Sequence, residues 1–223
     1  LSADFGVMVD TGGEKIFLVD EKGDVLPDWV ALQIIALLVC RQSRKGLVGV
    51  PVTASRNIEK IAGKFGMDVV RTRTLPRSQM ETAAREGVVF VGDGSGGCMF
   101  PRFQPAFDGM FGIVKLMELL AGESRTLSDV LREIPPTNMV QKKIPCAWEN
   151  KGALMRHMAT YAKGKPSQFI DGVKIFHGED WALIYPSQDE AYFHLCVEAE
   201  DRGNAEDLAA HYADLFNTWS GKL

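Results

Sequence analysis

The hydrophobic pattern changes once near the start of the chain, which predicts a hairpin followed by a helix. Two β-rich runs, DFGVMVD and KIFLVDE, flank the turn residues TGGE at 11–14, as in a hairpin with a glycine-containing loop. From Pro27 onward the apolar residues recur at helical spacing instead. Pro27 and Asp28 suit the first positions of a helix.

Residues 46–134 alternate short buried strands with helices. The strands are predicted at GLVGVPV, MDVVRT and GVVFVGD, with helices between them at 57–65 and 77–86. Two further helices are predicted at 108–120 and 127–134. This β-α-β-α-β order predicts an α/β fold with a parallel sheet, whose loops gather at the carboxyl ends of the strands.

The pattern changes again after Pro135 and Pro136. A strand near 139–144, a helix near 150–161, a hairpin-like series over 169–185, the strand FHLCVEA and a helix over 204–219 follow. Strands gathered together and flanked by helices predict a smaller α+β domain at the C-terminal end. We therefore divide the chain into segments 1–45, 46–134 and 135–223.

Composition excludes some classes of function. The chain has 223 residues, of which 46% are hydrophobic and 24% charged, as in an ordinary globular protein. A net charge of -4 gives no reason to expect a nucleic-acid or anionic-membrane partner, and no apolar run is long enough to cross a bilayer. The four cysteines form no CxxC pair, which predicts reduced thiols in a cytoplasmic protein. The opening LSADFG, without Met or a basic leader, predicts a fragment of something longer.

The stretch TASRN at 53–57 raises the question of covalent chemistry at Ser55. This serine follows a buried strand and precedes a helix, so its simplest role is to cap the helix. A strand-to-helix turn also binds anions. No base for the hydroxyl lies nearby, because the neighbours are Arg56, Asn57 and, one turn later, Glu59. We predict a capping serine.

Most of the chain resembles the phosphohexomutases, the phosphoglucomutase and phosphomannomutase family. ADFGVMVDTGGEKIFLVDEKG resembles the end of the family's second domain, the block from LVGVPVTASRN to FDGMFGIVKLMELL resembles the third, and DWALIYPSQDEAYFHLCVEAED resembles the core of the fourth. The resemblance implies domain two over 1–45, domain three over 46–134 and domain four over 135–223. It places the nucleophilic serine of the family, in T-A-S-H-N-P, in an N-terminal part that this chain lacks, so Ser55 only looks like that nucleophile.

Two family loops match the first two segments, each with substitutions. The magnesium loop D-x-D-x-D-R matches residues 10–15, where Asp10 is kept, Gly12 replaces the middle carboxylate, and Glu14 replaces the third. Mg²⁺ prefers oxygen ligands in near-octahedral geometry, so Asp10 and Glu14 are its candidate ligands. The sugar loop G-E-x-S-G-H matches residues 92–97, which gives Asp93 and Ser95 as candidate sugar contacts. A solvated turn is the alternative for both loops.

The phosphate loop R-P-S-G-T-E-P of the family matches residues 185–191. Ser187 is kept, but Tyr185 replaces the arginine and Asp189 replaces the threonine, and both changes act against a phosphate. Arg77 matches a basic residue that the family directs into its cleft, which makes it a candidate anion contact. The alternative for Arg77 is a solvated basic edge.

These resemblances leave several functions open. The first hypothesis is the C-terminal part of a phosphohexomutase-like module whose active site has degenerated, with a binding or regulatory role for a hexose phosphate. Such a module is similar to the mutase-like portion of bacterial mannose-1-phosphate guanylyltransferases, where it follows a nucleotidyltransferase. The second is a fragment of an active mutase that moves phosphate between the 1 and 6 positions of a hexose. The third is a scaffold without a ligand. The expected partners are a hexose phosphate and the missing N-terminal domains, and the expected cofactor is magnesium.

Overall fold

A computed structural model describes residues 3–221. These residues form two compact units that divide between Pro135 and Pro136. Within this described range, no helix combines the length and the hydrophobicity needed to cross a bilayer. All four cysteines are free and buried.

The first unit begins with the predicted hairpin. Strand β1 (Gly6–Val9) pairs antiparallel with β2 (Ile16–Val19), and the register sets Val9 opposite Ile16. The turn between them therefore contains residues 10–15. Ile16 and Leu18 are buried, which fixes the hairpin against the core of this unit.

Helix α1 and a four-stranded sheet follow the hairpin. In chain order the elements are α1 (Asp28–Ser43), β3 (Leu47–Pro51), α2 (Asn57–Gly63), β4 (Asp68–Thr72), α3 (Pro76–Ala83), β5 (Val88–Gly92) and β6 (Cys98–Met99). The sheet order is β4-β3-β5-β6. Strand β3 pairs parallel with both β4 and β5, whereas β6 is antiparallel. The predicted α/β fold with a parallel sheet is confirmed, and helix α3 ends three residues earlier than the sequence predicted.

Two helices complete the first unit. Helix α4 (Gly109–Ala121) is capped by Asp108, whose side chain accepts a hydrogen bond from the amide of Phe111. Helix α5 (Leu127–Leu131) begins with a capping box of Thr126 and Asp129. Both caps satisfy amides that a helix leaves without partners at its first turn.

The second unit is an antiparallel sheet packed against two helices. Its elements are β7 (Asn138–Pro145), a 3-10 turn (Trp148–Asn150), α6 (Lys151–Tyr161), β8 (Ser167–Gln168), β9 (Val173–His177), β10 (Asp180–Pro186), β11 (Tyr192–Ala199) and α7 (Arg202–Ser220). The strand order is β7-β11-β10-β9-β8. Phe193, Leu195, Tyr212 and Phe216 lie in its core, which confirms the predicted α+β unit.

Candidate functional site

The turn at residues 10–15 is organised by Asp10. One carboxylate oxygen of Asp10 accepts hydrogen bonds from the amides of Glu14 at 2.8 Å and Lys15 at 3.0 Å. The bond from the Lys15 amide is the main cause that lowers the pKa of the Asp10 carboxyl. Glu14 itself is exposed. The Asp10 carboxylate therefore stabilises its own turn, as capping acids do.

This turn offers few protein ligands to a magnesium ion. Within residues 3–221, no group of three or more His, Cys, Asp or Glu side chains is placed to hold a metal. Asp10 and Glu14 share the turn, but Gly12 stands at the position between them. Mg²⁺ takes oxygen ligands in near-octahedral geometry, usually from one or two carboxylates together with waters and substrate phosphates. Here the Asp10 carboxylate is already bonded to two amides of its own turn.

The loop at residues 92–97 is organised by Asp93. Its Oδ1 accepts hydrogen bonds from the amides of Ser95 and Gly97, both at 2.7 Å, and its Oδ2 accepts one from the Ser95 hydroxyl at 2.7 Å. A Cβ at position 97 would lie 2.7 Å from the same carboxylate. The predicted sugar contacts Asp93 and Ser95 thus lie side by side and are joined by hydrogen bonds.

The structure brings the turn at 10–15 and the loop at 92–97 together. Lys15 Nζ lies 2.9 Å from Ser95 Oγ and 3.5 Å from Asp93 Oδ2. The amide of Ile16 donates to the carbonyl of Gly96 at 3.0 Å, and the amide of Gly109 donates to the carbonyl of Gly13 at 2.8 Å. Lys15 therefore joins the two loops, although it was not among the site residues predicted from the sequence.

Asp28 lies beside the same loop. Burial raises the pKa of the Asp28 carboxyl, the negative charge of Asp93 raises it further, and the positive charge of Lys15 lowers it. One turn later in α1, Leu32 packs so closely on Gly92 that a Cβ there would lie 2.3 Å from its methyl carbon. The sequence had identified Asp28 only as the start of a helix, because its approach to residue 93 depends on tertiary packing.

Ser55 has a local structural role. Its hydroxyl oxygen accepts a hydrogen bond from the amide of Asn57, the first residue of α2, at 3.0 Å. Its side chain is buried. The capping role predicted for Ser55 is confirmed in this contact, although the formal N-cap position is Arg56.

Arg71 in β4 and Arg77 in α3 have different environments. The guanidinium of Arg71 donates to the carbonyls of Pro51, Ala54 and Ser55 and pairs with Glu59. In contrast, 91% of the Arg77 side chain is exposed, and its Nε lies 3.0 Å from Glu81 one turn along α3. Arg71 is committed to the protein, whereas Arg77 faces solvent.

Ser187, the predicted phosphate contact of the second unit, lies in a loop fixed by a lysine. Lys151 Nζ donates to the carbonyls of Ser187 and Glu190, both at 2.6 Å, and lies 3.6 Å from the ring centroid of Trp148. The Ser187 hydroxyl accepts a hydrogen bond from the amide of Glu190 at 3.2 Å. Sequence reasoning missed Lys151, because the residue lies on another element.

Comparison with known proteins gives one family and a consistent set of relatives. Residues 28–137 match the family described as phosphoglucomutase/phosphomannomutase, alpha/beta/alpha domain III. The chain is 28% identical over 215 residues to a protein of Methanopyrus kandleri and 30% identical over 215 residues to one of Pyrococcus abyssi, each named probable phosphoglucosamine mutase. These matches cover 96% and 93% of this chain but 48% and 47% of the relatives. The chain therefore spans about half the length of these curated relatives.

Solved structures share the fold. A phosphoglucomutase/phosphomannomutase family protein of Burkholderia thailandensis superposes with a TM-score of 0.77 at 18% identity, covering 96% of this chain and 48% of that one. The N-acetylphosphoglucosamine mutase of Aspergillus fumigatus, solved in complex with GlcNAc-6P and magnesium, gives a TM-score of 0.71 at 14% identity, covering 97% of this chain and 49% of that one. At such low identity the likeness establishes the fold alone.

Proposed function

We propose that this chain binds a hexose phosphate and does not perform phosphoryl transfer by itself. Its residues 28–137 match the family described as phosphoglucomutase/phosphomannomutase, alpha/beta/alpha domain III. The observation that carries the proposal is the closed network of Lys15, Asp93 and Ser95. These hydrogen bonds hold the loop at 92–97 in a defined conformation, with polar groups that could contact a sugar. Its carboxylate, however, is already engaged by the protein.

The hydrogen-bond capacity of the network defines what it offers a ligand. A carboxylate accepts about four hydrogen bonds, and Asp93 receives three from the loop and a charge contact from Lys15. Ser95 Oγ donates to Asp93 and accepts from Lys15, which leaves one lone pair for a sugar hydroxyl. Ser95 and Lys15 are thus the proposed direct contacts of the ring, and binding through so few contacts is weak.

Catalysis by this chain alone is opposed by the environment of Ser55. Phosphoryl transfer depends on a positioned nucleophile and on stabilisation of the developing charge. Ser55 is buried and bonded to the amide of Asn57. We therefore assign this segment a binding or regulatory role in sugar-phosphate metabolism, in a cytoplasmic protein.

Two residues remain as separate candidate anion contacts, one in each unit. Arg77 projects into solvent from the first turn of α3, where an anion is favoured. Ser187 lies in the loop that Lys151 stabilises. Because Tyr185 stands where the family has an arginine, we expect the phosphate to add little affinity at Ser187.

Calorimetric titration tests the proposal. The chain is titrated with glucose 1-phosphate, mannose 1-phosphate and glucosamine 1-phosphate, and we expect saturable binding of at least one. Ser95→Ala should weaken it about tenfold, since a lost hydrogen bond of about 1.4 kcal/mol corresponds to that factor. Ser43→Ala is the matched control, because Ser43 is the last residue of α1 and lies outside the loop at 92–97. Flat heats with all three ligands would contradict the proposed binding.

A second candidate is an active phosphohexomutase of which this chain is one part. The observation that favours it is the match to proteins named probable phosphoglucosamine mutase over 96% and 93% of the chain. The natural protein as the cell produces it would then interconvert hexose 1- and 6-phosphates, and a coupled assay measures this directly. A nucleotidyltransferase sequence in the same gene would instead favour the fused, guanylyltransferase-like setting.

A further inference from the structure

The positive charge between the turn at 10–15 and the loop at 92–97 belongs to a protein side chain. Lys15 Nζ is 2.9 Å from Ser95 Oγ and 3.5 Å from Asp93 Oδ2. About a third of the Lys15 side chain is exposed, whereas Asp93 is 10% exposed. The pair is therefore partly withdrawn from water. Charge contacts in such a place are stronger than contacts on an open surface.

The turn at 10–15 has little carboxylate free to hold a metal ion. Asp10 Oδ1 is bonded to two amides of its own turn. A Cβ at Gly12 would lie 3.5 Å from Asp10 Oδ2, so position 12 is where a second carboxylate would face the first. With glycine at this position, the turn offers one inward carboxylate and the exposed Glu14.

We propose that the Lys15 ammonium supplies the positive charge at this site, so that its ligand binding is independent of magnesium. The ammonium has three donors, and its hydrogen bond to Ser95 and its ion pair with Asp93 use at most two of them. The third is available to an oxygen of the bound ligand. Lys15 is therefore a proposed ligand contact that also positions Ser95 and Asp93. The part of the inference that concerns the ligand rests on the proposed binding of a hexose phosphate.

Titration with MgCl₂ alone tests the metal half of the inference without any sugar. Thermal unfolding and calorimetry of the chain should show neither a shift nor saturable heat at millimolar Mg²⁺. Gly12→Asp should create a responsive turn, with an unfolding temperature that rises by roughly 5–10 °C once the ion exceeds its Kd about a hundredfold. Gly63→Asp is the control, because this variant adds the same charge elsewhere. A Cβ at position 63 would have open space around it.

Two results would overturn the metal half. Saturable Mg²⁺ binding by the unaltered chain that disappears in Asp10→Asn would show that the turn holds the ion after all. A Gly12→Asp variant that remains indifferent to Mg²⁺ would show that the missing carboxylate is not the cause. Because no sugar is present, a failure of the proposed binding function leaves both results unaffected.

Hydrogen exchange tests the positioning role. The amides of Ser95 and Gly97 donate to Asp93, so Lys15→Met should make them exchange roughly tenfold faster, which corresponds to about 1.4 kcal/mol. Lys15→Arg should restore slow exchange, because it keeps the charge, and Lys22→Met is the control at an exposed lysine. Unchanged exchange in Lys15→Met, or failure of the arginine variant to restore it, would overturn the positioning role.

Discussion

Arg71, in strand β4, is a basic residue that forms part of the protein framework. Its guanidinium lies 2.7 Å from the Ala54 carbonyl and 3.1 Å from the Ser55 carbonyl, and it pairs with Glu59. The planar group presents five donors in a fixed fork. It thereby holds the turn after β3 that carries Ser55.

Replacing this arginine should destabilise the first unit. We expect Arg71→Ala to lower the free energy of unfolding by about 2–3 kcal/mol, since several charge-assisted hydrogen bonds are lost together. Arg71→Lys should not restore it, because an ammonium lacks the fork geometry. Urea denaturation measures the change, and Arg73→Ala, at an exposed position, is the control that should change little.

Gly97 sets the position of the Asp93 carboxylate. A Cβ at position 97 would lie 2.7 Å from Asp93 Oδ2 and 2.8 Å from a ring carbon of Phe107. We expect Gly97→Ala to cost about 1–3 kcal/mol through overpacking and to move Asp93 away from Ser95. Thermal unfolding together with the amide exchange of Ser95 measures both effects. Equal unfolding temperatures for Gly97→Ala and the unaltered chain would contradict this prediction.

At the scale of the element, the helix predicted from Pro27 onward forms as α1, and its middle is buried on every side. All ten residues from 31 to 40 are buried, including Gln33, whose side chain donates to the carbonyl of Trp29 at 2.8 Å. Helices α2, α4 and α5 and strands β2 and β5 all contact α1. A helix covered on all sides is hydrophobic all round, and only the assembled unit provides that cover.

The cap of α4 connects an element to the site. Asp108 accepts from the amide of Phe111 at 2.8 Å, while the next residue, Gly109, donates its amide to Gly13. Asp108→Ala should cost about 1 kcal/mol, the usual effect of losing an N-cap, and Asp108→Asn should retain most of the stability. Denaturant midpoints measure both variants. An asparagine variant as unstable as the alanine variant would indicate that charge, and not capping, is the cause.

At the scale of the whole molecule, acid should act on the second unit through two histidines. Burial lowers the pKa of His177, as do the charges of Lys165 and His211. Burial and the charge of Lys143 lower the pKa of His194. Because the unfolded chain binds these protons at higher pH, the stability they contribute is fully present above about pH 6.5 and is lost as pH falls through the lower folded values.

Fluorescence of the tryptophans of the second unit measures this effect. In a Trp29→Phe background the remaining tryptophans, Trp148, Trp181 and Trp219, all lie in that unit. The urea midpoint should fall between about pH 7.5 and pH 5.5, and less so in His177→Gln. A midpoint that is constant over this range would contradict the prediction.

The sequence determined which elements form and where the chemistry-bearing residues stand along the chain. Alternating strands and helices, the glycines of the loop at 92–97 and the turn after β1 depend on local backbone preferences and on hydrophobic period, which neighbouring residues already encode. The order of these elements was also sufficient to identify the family resemblance, which the match over residues 28–137 supports.

Only the tertiary structure decided which polar and charged groups come into contact. Lys15 and Ser95 are separated by eighty positions, and Lys151 and Ser187 by thirty-six. The charge of Asp93 raises the pKa of Asp28, which lies on another element. No local pattern encodes such contacts, because they arise when the buried faces of separate elements pack together. That packing left Asp10 bonded within its own turn and set a lysine ammonium between the two loops of the candidate site.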